Sequence, residues 1–279
     1  VVEIKIALIA SSSILILAKT TTISVITKRS VIILFKSIKP INFFFIIRPK
    51  AYKSVFLSNI LQFHSLLDGT AVYDSSCSRE AQVYYIEKQK LFLKKAPKGS
   101  LQKEAALGDF FHRKGLAPEV LSYESLEEDW LLTREGRGQD CISPMYLTDP
   151  QRLCDTTAAL LRMLHDTYFT GCPVPDRTAD YLATAKENYR AKAYDLNLFP
   201  DNWGYASPEE AWQELERNGQ YLKADTLLHG DYCLPNILLN NWNFSGFIDL
   251  GSGGIGDRHI DLFWGVWSLF FNLKTDAWG

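Results

Sequence analysis

Two short polar motifs narrow the possible folds most: His229-Gly230-Asp231-Tyr232-Cys233-Leu234-Pro235-Asn236, then Phe247-Ile248-Asp249-Leu250-Gly251. Asp231 and Asn236 stand five apart on a turn leading into the apolar run 236–239. Asp249 follows Asn236 by thirteen residues, just past a second run, 244–248. The two runs read as a strand pair around a polar turn. Two carboxylates and one amide then sit at neighbouring ends of paired strands. All are hard oxygen donors of the kind Mg²⁺ takes, with waters and substrate phosphates completing its shell. A carboxylate that is not a ligand can orient or deprotonate a hydroxyl. A single loop Asp is most often a cap or turn former. The full set at this spacing points instead to phosphate chemistry.

The chain changes character near residue 65. Residues 1–60 hold 14 Ile against 6 in all the rest, and carry nine Lys/Arg with one acid, Glu3. Residues 61–279 carry 21 basic and 31 acidic side chains, a balance of −10, so the overall −2 hides two opposed segments. Residues 1–64 read as an atypical N-terminal extension that is not native or is disordered. Two stretches there, 4–18 and 31–47, resemble membrane spans. The first is short and broken by Ser11-Ser12-Ser13, and the second contains Lys36, Lys39 and Pro40. A spanning helix needs about 20 apolar residues, so a membrane role is disfavoured, with an anchor or a structural segment as alternatives. The near-neutral whole argues against a nucleic-acid binder. Five Cys without a C-x-x-C pair argue against a zinc ribbon or disulfide framework and suit a reducing, cytoplasmic setting.

Beyond residue 65, two apolar runs, 81–87 and 91–95, predict a hairpin. A helix is expected from Ser100, read as the N-cap, to Lys114, with Gly115 just past its end. Strands are expected at 119–123 and 129–133, and a linker near 134–140. Asp149-Pro150 and Ser207-Pro208 each predict a helix start, with cap and first-turn Pro. Leu153, Thr157, Leu160, Leu161 and Leu164 recur at helical spacing. Residues 258–272 read as an aromatic helix. The order is a small sheet with one helix, then a helical part: residues 65–135 as a nucleotide-binding lobe and 136–279 as a helical lobe.

HGDYCLPN with GFIDLGSGGIGDRHIDL resembles the aminoglycoside 3′-phosphotransferases, small-molecule kinases that share the protein-kinase fold. LFLKKAP, LLTREGRG and LRMLHD extend the likeness over residues 70–275. The resemblance implies an α+β, two-lobed protein-kinase-like fold, with a small antiparallel-sheet N-lobe and a mainly helical C-lobe. It implies transfer of the ATP γ-phosphoryl group, with Mg²⁺, to a hydroxyl of an aminoglycoside antibiotic, the 3′-hydroxyl by preference, giving resistance. A kinase of another small hydroxyl compound and an inactive fragment are the alternatives.

By the same resemblance, Asp231 is the catalytic carboxylate, and Asn236 and Asp249 are the Mg²⁺ ligands. Lys94 holds the α/β-phosphates and Glu104 is its ion-pair partner. Strand alternation puts Lys94 and Lys95 on opposite faces but does not by itself say which faces the nucleotide. Phe92 shares the face of Lys94 and is a candidate for stacking on adenine, with a core role as the alternative. Arg134 and Gly136 fall in the hinge, and Ser76 in the turn that would cover the phosphates. Asp201, Glu209 and Glu210 are weak candidates for binding a polycationic substrate; their alternative is a solvated helix start. His229 and Asp261 read as structural supports of the loop, and His165 as a helix-end residue suited to the dipole. The chain departs from the family pattern at Ser252, where Arg is usual, and near Trp267-Ser268, where Arg-Asp often stands. The pattern also continues past Gly279, so a truncated C-lobe is expected.

Overall fold

The computed structural model describes residues 69–76, 81–194, 207–275 and 277. Both membrane-like stretches and the whole extension 1–64 lie outside the described residues. Among the described residues no helix is long and apolar enough to cross a membrane. These residues fall into two compact units. One runs through residue 137 and adds residues 245–251; the other holds residues 138–244 and those from 252 onward.

The first unit is an antiparallel sheet with one helix. Its strands are β1 (Val72–Asp74), β2 (Gln82–Ile86), β3 (Leu91–Pro97), β4 (Val120–Ser125) and β5 (Glu128–Arg134), in the spatial order β1-β2-β3-β5-β4. Leu93 lies opposite Tyr84 on one side and Leu132 on the other. With Val72, Ile86, Leu91 and Trp130 they form one apolar cluster. The alternate residues Ala96 and Leu131 pack against Leu101 and Ala105 of the segment that forms helix α1 (Gln102–Arg113). Full burial of side chains such as Ile86, Leu93, Leu107 and Phe111 contributes roughly 1.5–3 kcal/mol each. Truncating Leu93 to Ala would cost about 2–5 kcal/mol.

The start of α1 corrects the expected Ser100 cap. Leu101 occupies the N-cap position with no side-chain cap bond. Ser100 Oγ instead donates to the Pro97 carbonyl at 2.5 Å. The Leu101 amide donates to Asp129 Oδ2 at 2.9 Å, and Asp129 is fully buried. A carboxylate 28 residues away thus meets the helix start, where both orphan amides and the dipole favour negative charge. At the other end Lys114 is the C-cap, and Gly115 takes φ +71° with its amide on the His112 carbonyl at 2.8 Å.

The second unit is mainly helical. It contains α2 (Pro144–Leu147), α3 (Pro150–His165), α4 (Arg177–Arg190), α5 (Pro208–Asn218) and α6 (His259–Leu273). Asp149 caps α3 by accepting from the Arg152 amide at 3.2 Å, and Ser207 caps α5 by accepting from Glu210 at 3.2 Å. The α3 stripe Leu153, Thr157, Leu160, Leu161 and Leu164 is buried throughout, and α6 packs on α3. Helix α4 was not anticipated by the hydrophobic pattern. Its buried face is narrow, limited to Thr178, Tyr181 and Ala185, and Asp176 caps it through the Ala179 amide at 2.9 Å. The short strands β7 (Thr226–Leu228) and β10 (Gly254–Gly256) pair antiparallel. β6 (Gln139–Asp140) and β8 (Ile237–Asn240) pair antiparallel, and β9 (Asn243–Phe247) leads from this unit into the first.

Candidate active site

In the first unit, register places the two lysines of β3 on opposite faces of the sheet. Lys94 lies opposite Val83 and Leu131, on the face that α1 covers. Its Nζ donates to both Glu104 carboxylate oxygens and to Asp249 Oδ1, each at 2.9 Å. Lys95 lies opposite Trp130, pairs with Glu128 at 2.5 Å and sits over the Trp130 ring, 5.3 Å from its centroid. Burial works to lower the Lys94 pKa, but the charges of Asp249 and Glu104 outweigh it and hold the ammonium above its ordinary value. Lys94 is therefore a fixed cation at neutral pH. Asp249 adopts φ +57°, a left-handed conformation uncommon for a non-glycine residue. Such strain persists where surrounding contacts hold it, and it clusters at functional sites.

Phe92 lies beside Tyr85, with ring centroids 4.9 Å apart, and opposite Thr133, on the same sheet face as Lys94. Ser76 closes the β1–β2 connection: its Oγ accepts from the Val83 amide at 2.9 Å, and its own amide donates to Asp74 at 2.9 Å. Arg134 turns its guanidinium to Glu119 at 2.5 Å. Gly136 follows β5, half-buried.

In the second unit, the loop 229–236 is held from several sides. Buried Asp261, in the first turn of α6, accepts from the Gly230 amide at 2.7 Å, the His229 amide at 2.8 Å and His165 Nε2 at 3.3 Å. His165 lies in the last turn of α3, as expected, and also meets Asp261, which gathers two consecutive amides of the loop. His229 is fully buried, and its Nδ1 accepts from the Asp231 amide at 3.3 Å. Tyr232 donates to the Thr157 carbonyl of α3 at 2.7 Å. The Leu234 amide donates to the buried Ser268 hydroxyl of α6 at 2.9 Å.

The Asp231 carboxylate is itself oriented. Asn236 Nδ2 donates to its Oδ2 at 3.0 Å and to its backbone carbonyl at 3.0 Å. The Cys233 thiol donates to Oδ1 at 3.1 Å. Burial and the neighbouring Asp231 charge push that thiol well above its ordinary pKa, so it stays an S–H donor. Asn236 commits its amide nitrogen to Asp231, so its carbonyl oxygen is the end available as a hard donor. Sequence reasoning missed Cys233, since nothing in its position two residues past Asp231 reveals a bond to the carboxylate.

Two sets of expected site residues are thus brought together: Lys94 with Glu104 and Asp249, and Asp231 with Asn236. Among the weak substrate candidates, Glu209 and Glu210 are exposed in the first turn of α5, and Asp201 lies outside the described residues. Among the described residues no group of three or more His, Cys, Asp or Glu forms a metal centre. Among the described residues, Cys141, Cys154, Cys172 and Cys233 are not in disulfides.

Comparison with known proteins follows the same lines. Residues 78–278 match the model of the phosphotransferase enzyme family. A Lactococcus lactis protein named "Probable aminoglycoside 3′-phosphotransferase" is 44% identical over 217 residues, covering 77% of this chain and 82% of the relative. The aminoglycoside 3′-phosphotransferase of Niallia circulans is 27% identical over 203 residues, covering 70% and 77%. Among solved structures, an aminoglycoside 3′-phosphotransferase of type VIII superposes with a TM-score of 0.57 at 27% identity, over 74% of this chain and 78% of that one. The fold is the kinase-like fold of these enzymes, with an antiparallel-sheet lobe and a mainly helical lobe. With the family match spanning most of the chain and a relative at this identity, the chain belongs to the phosphotransferase enzyme family.

Proposed function

We propose that this protein moves the γ-phosphoryl group of ATP to a hydroxyl of an aminoglycoside antibiotic, the 3′-hydroxyl, and so confers resistance. The observation that carries the reading is the Asp231 carboxylate, oriented by Cys233 and Asn236 on a loop that Asp261 fixes. The similarity to proteins named aminoglycoside 3′-phosphotransferases supports the acceptor and the position. The −10 balance of residues 61–279 suits a polycationic substrate.

In this reading Lys94, held by Glu104, binds the α/β-phosphate oxygens. Phe92 stacks on the adenine, Arg134 and Gly136 lie at the hinge, and Ser76 lies in the turn over the phosphates. Asn236, through its carbonyl oxygen, and Asp249 hold Mg²⁺, which when bound offsets phosphate charge. Asp231 orients the acceptor hydroxyl and takes its proton as that oxygen bonds to the γ-phosphorus. The bond from phosphorus to the β-phosphate oxygen breaks and ADP leaves. Little covalent work falls to the protein, so positioning and fixed charge supply most of the acceleration. Dependence on ATP and free thiols suits a cytoplasmic location.

The test is label transfer from γ-labelled ATP to kanamycin by the full chain with Mg²⁺. Label on kanamycin, and none on an analogue lacking the 3′-hydroxyl, is expected. Label on a simple amino alcohol but not on kanamycin would overturn the acceptor assignment.

A further inference from the structure

Helix α4 contributes two side chains that none of the motifs includes. Tyr181, buried, donates its hydroxyl to the Gly230 carbonyl at 2.6 Å. Arg177, one turn earlier, donates Nε to the Ser252 carbonyl at 2.8 Å. The guanidinium carbon lies 4.0 Å from the Tyr181 ring centroid, and Asp180 Oδ2 meets another guanidinium nitrogen at 3.3 Å. The two carbonyls belong to chain segments in direct backbone contact. Gly230 takes φ +80°, and a Cβ placed there would lie 1.8 Å from the Ser252 oxygen. Only glycine fits that approach.

The Gly230–Asp231 peptide is a rigid plane. Its oxygen is held by Tyr181 and its N–H by His229 Nδ1. Rotation of this plane would swing the Cα–Cβ bond of Asp231 and displace its carboxylate. We propose that Tyr181, braced by Arg177, is a positioning residue for Asp231, acting through the peptide that carries it. The assignment rests on Asp231 being the group that aligns the acceptor hydroxyl. Misplacement of a reacting group by 1 Å can cost about a hundredfold in rate, and a partly released peptide should cost less.

The test compares Tyr181→Phe, alone and with Asp231→Asn, in the full chain. Tyr181→Phe keeps the ring and its packing against Arg177 and removes only the hydroxyl. The expected result is a fall in kcat of about tenfold with KM for ATP unchanged, since misplacement acts on the acceptor side. Added to Asp231→Asn, Tyr181→Phe should produce no further loss, because residues acting as one unit are non-additive. A general effect on the fold would multiply instead. Amide exchange at Gly230 and Asp231 should accelerate in Tyr181→Phe while α3 stays protected. Unchanged kcat, an equal further loss in the Asp231→Asn background, or unchanged exchange would overturn the proposal. If Tyr181→Phe does not fold, Arg177→Lys carries the same expectations in weaker form. If the wild-type chain transfers no phosphate to any acceptor, the phosphotransfer reading fails, and the exchange comparison still decides whether Tyr181 holds the Asp231 peptide.

Discussion

Asp261→Asn is the most informative single substitution in the loop scaffold. Asp261 is fully buried, and its two oxygens accept from the amides of Gly230 and His229 at 2.7 and 2.8 Å, with His165 Nε2 at 3.3 Å. Asparagine keeps the shape but exchanges one oxygen for an NH₂ group. One backbone N–H then faces a donor inside the protein. A hydrogen bond to a charged acceptor contributes about 1.5–3 kcal/mol, and an unsatisfied buried donor costs about 1–3 kcal/mol. These terms overlap, so the expected loss is about 3 kcal/mol, a large share of an ordinary domain's 5–15 kcal/mol. Urea unfolding of the substituted and parent chains measures it, with amide exchange at residues 229–230 as the local readout. A stability change under about 0.5 kcal/mol, the scale of an ordinary surface substitution, would refute the reasoning. It would mean the loop does not depend on this carboxylate.

Lys94→Met removes the cation that Glu104 and Asp249 share. If Lys94 holds phosphate oxygens through charge-assisted bonds, affinity for ATP should fall by about tenfold or more. Calorimetric titration with ATP checks this, and unchanged affinity would remove Lys94 from the nucleotide site. The pH dependence of stability should carry a signature of Asp257. Burial works to raise its pKa, but His259, at 2.6 Å, and the Lys223 and His259 amides hold it below the ordinary carboxylate value. A depressed folded-state pKa means the unfolded chain binds the proton more readily. Its contribution is therefore complete above the unfolded value near 4 and is lost as pH falls through the folded value. The stability gap between the parent and Asp257→Asn should be full near pH 5 and shrink as pH falls below about 4. A gap that persists at low pH would contradict this.

Much of the framework was legible because its signals are local. The Asp149-Pro150 and Ser207-Pro208 starts combine cap and first-turn geometry in adjacent residues, and both caps form. The stripe from Leu153 to Leu164 repeats at helical spacing and is buried as that spacing requires. The failures share a different cause. Ser100 has the right chemistry for a cap, but Asp129, distant in the chain, supplies the acceptor at that helix start. His165 does stand in the last turn of its helix, but its bond to Asp261, 96 residues on, has no local signal. Helix α4 buries only three small or amphipathic positions, too few for a clear periodic signal. Strands β7 and β10 are three residues each, and β10 is Gly254-Ile255-Gly256, so no alternation can appear. In the site, residue types and spacing pointed to Asp231, Asn236 and Asp249. The groups that hold the Asp231 carboxylate and its peptide, Cys233 and Tyr181, act through contacts that only the folded chain creates.

The central claim is acceptor-dependent phosphoryl transfer organised around Asp231. Its most direct test is Mg²⁺-dependent ADP release by the full chain with kanamycin, with neomycin and with no acceptor, beside Asp231→Asn. The account predicts stimulation by the aminoglycosides and loss of that stimulation by about a hundredfold or more in the variant, the range of general acid–base catalysis. Stimulation that survives in Asp231→Asn, or a folded chain that binds Mg-ATP and is stimulated by neither aminoglycoside, would contradict it.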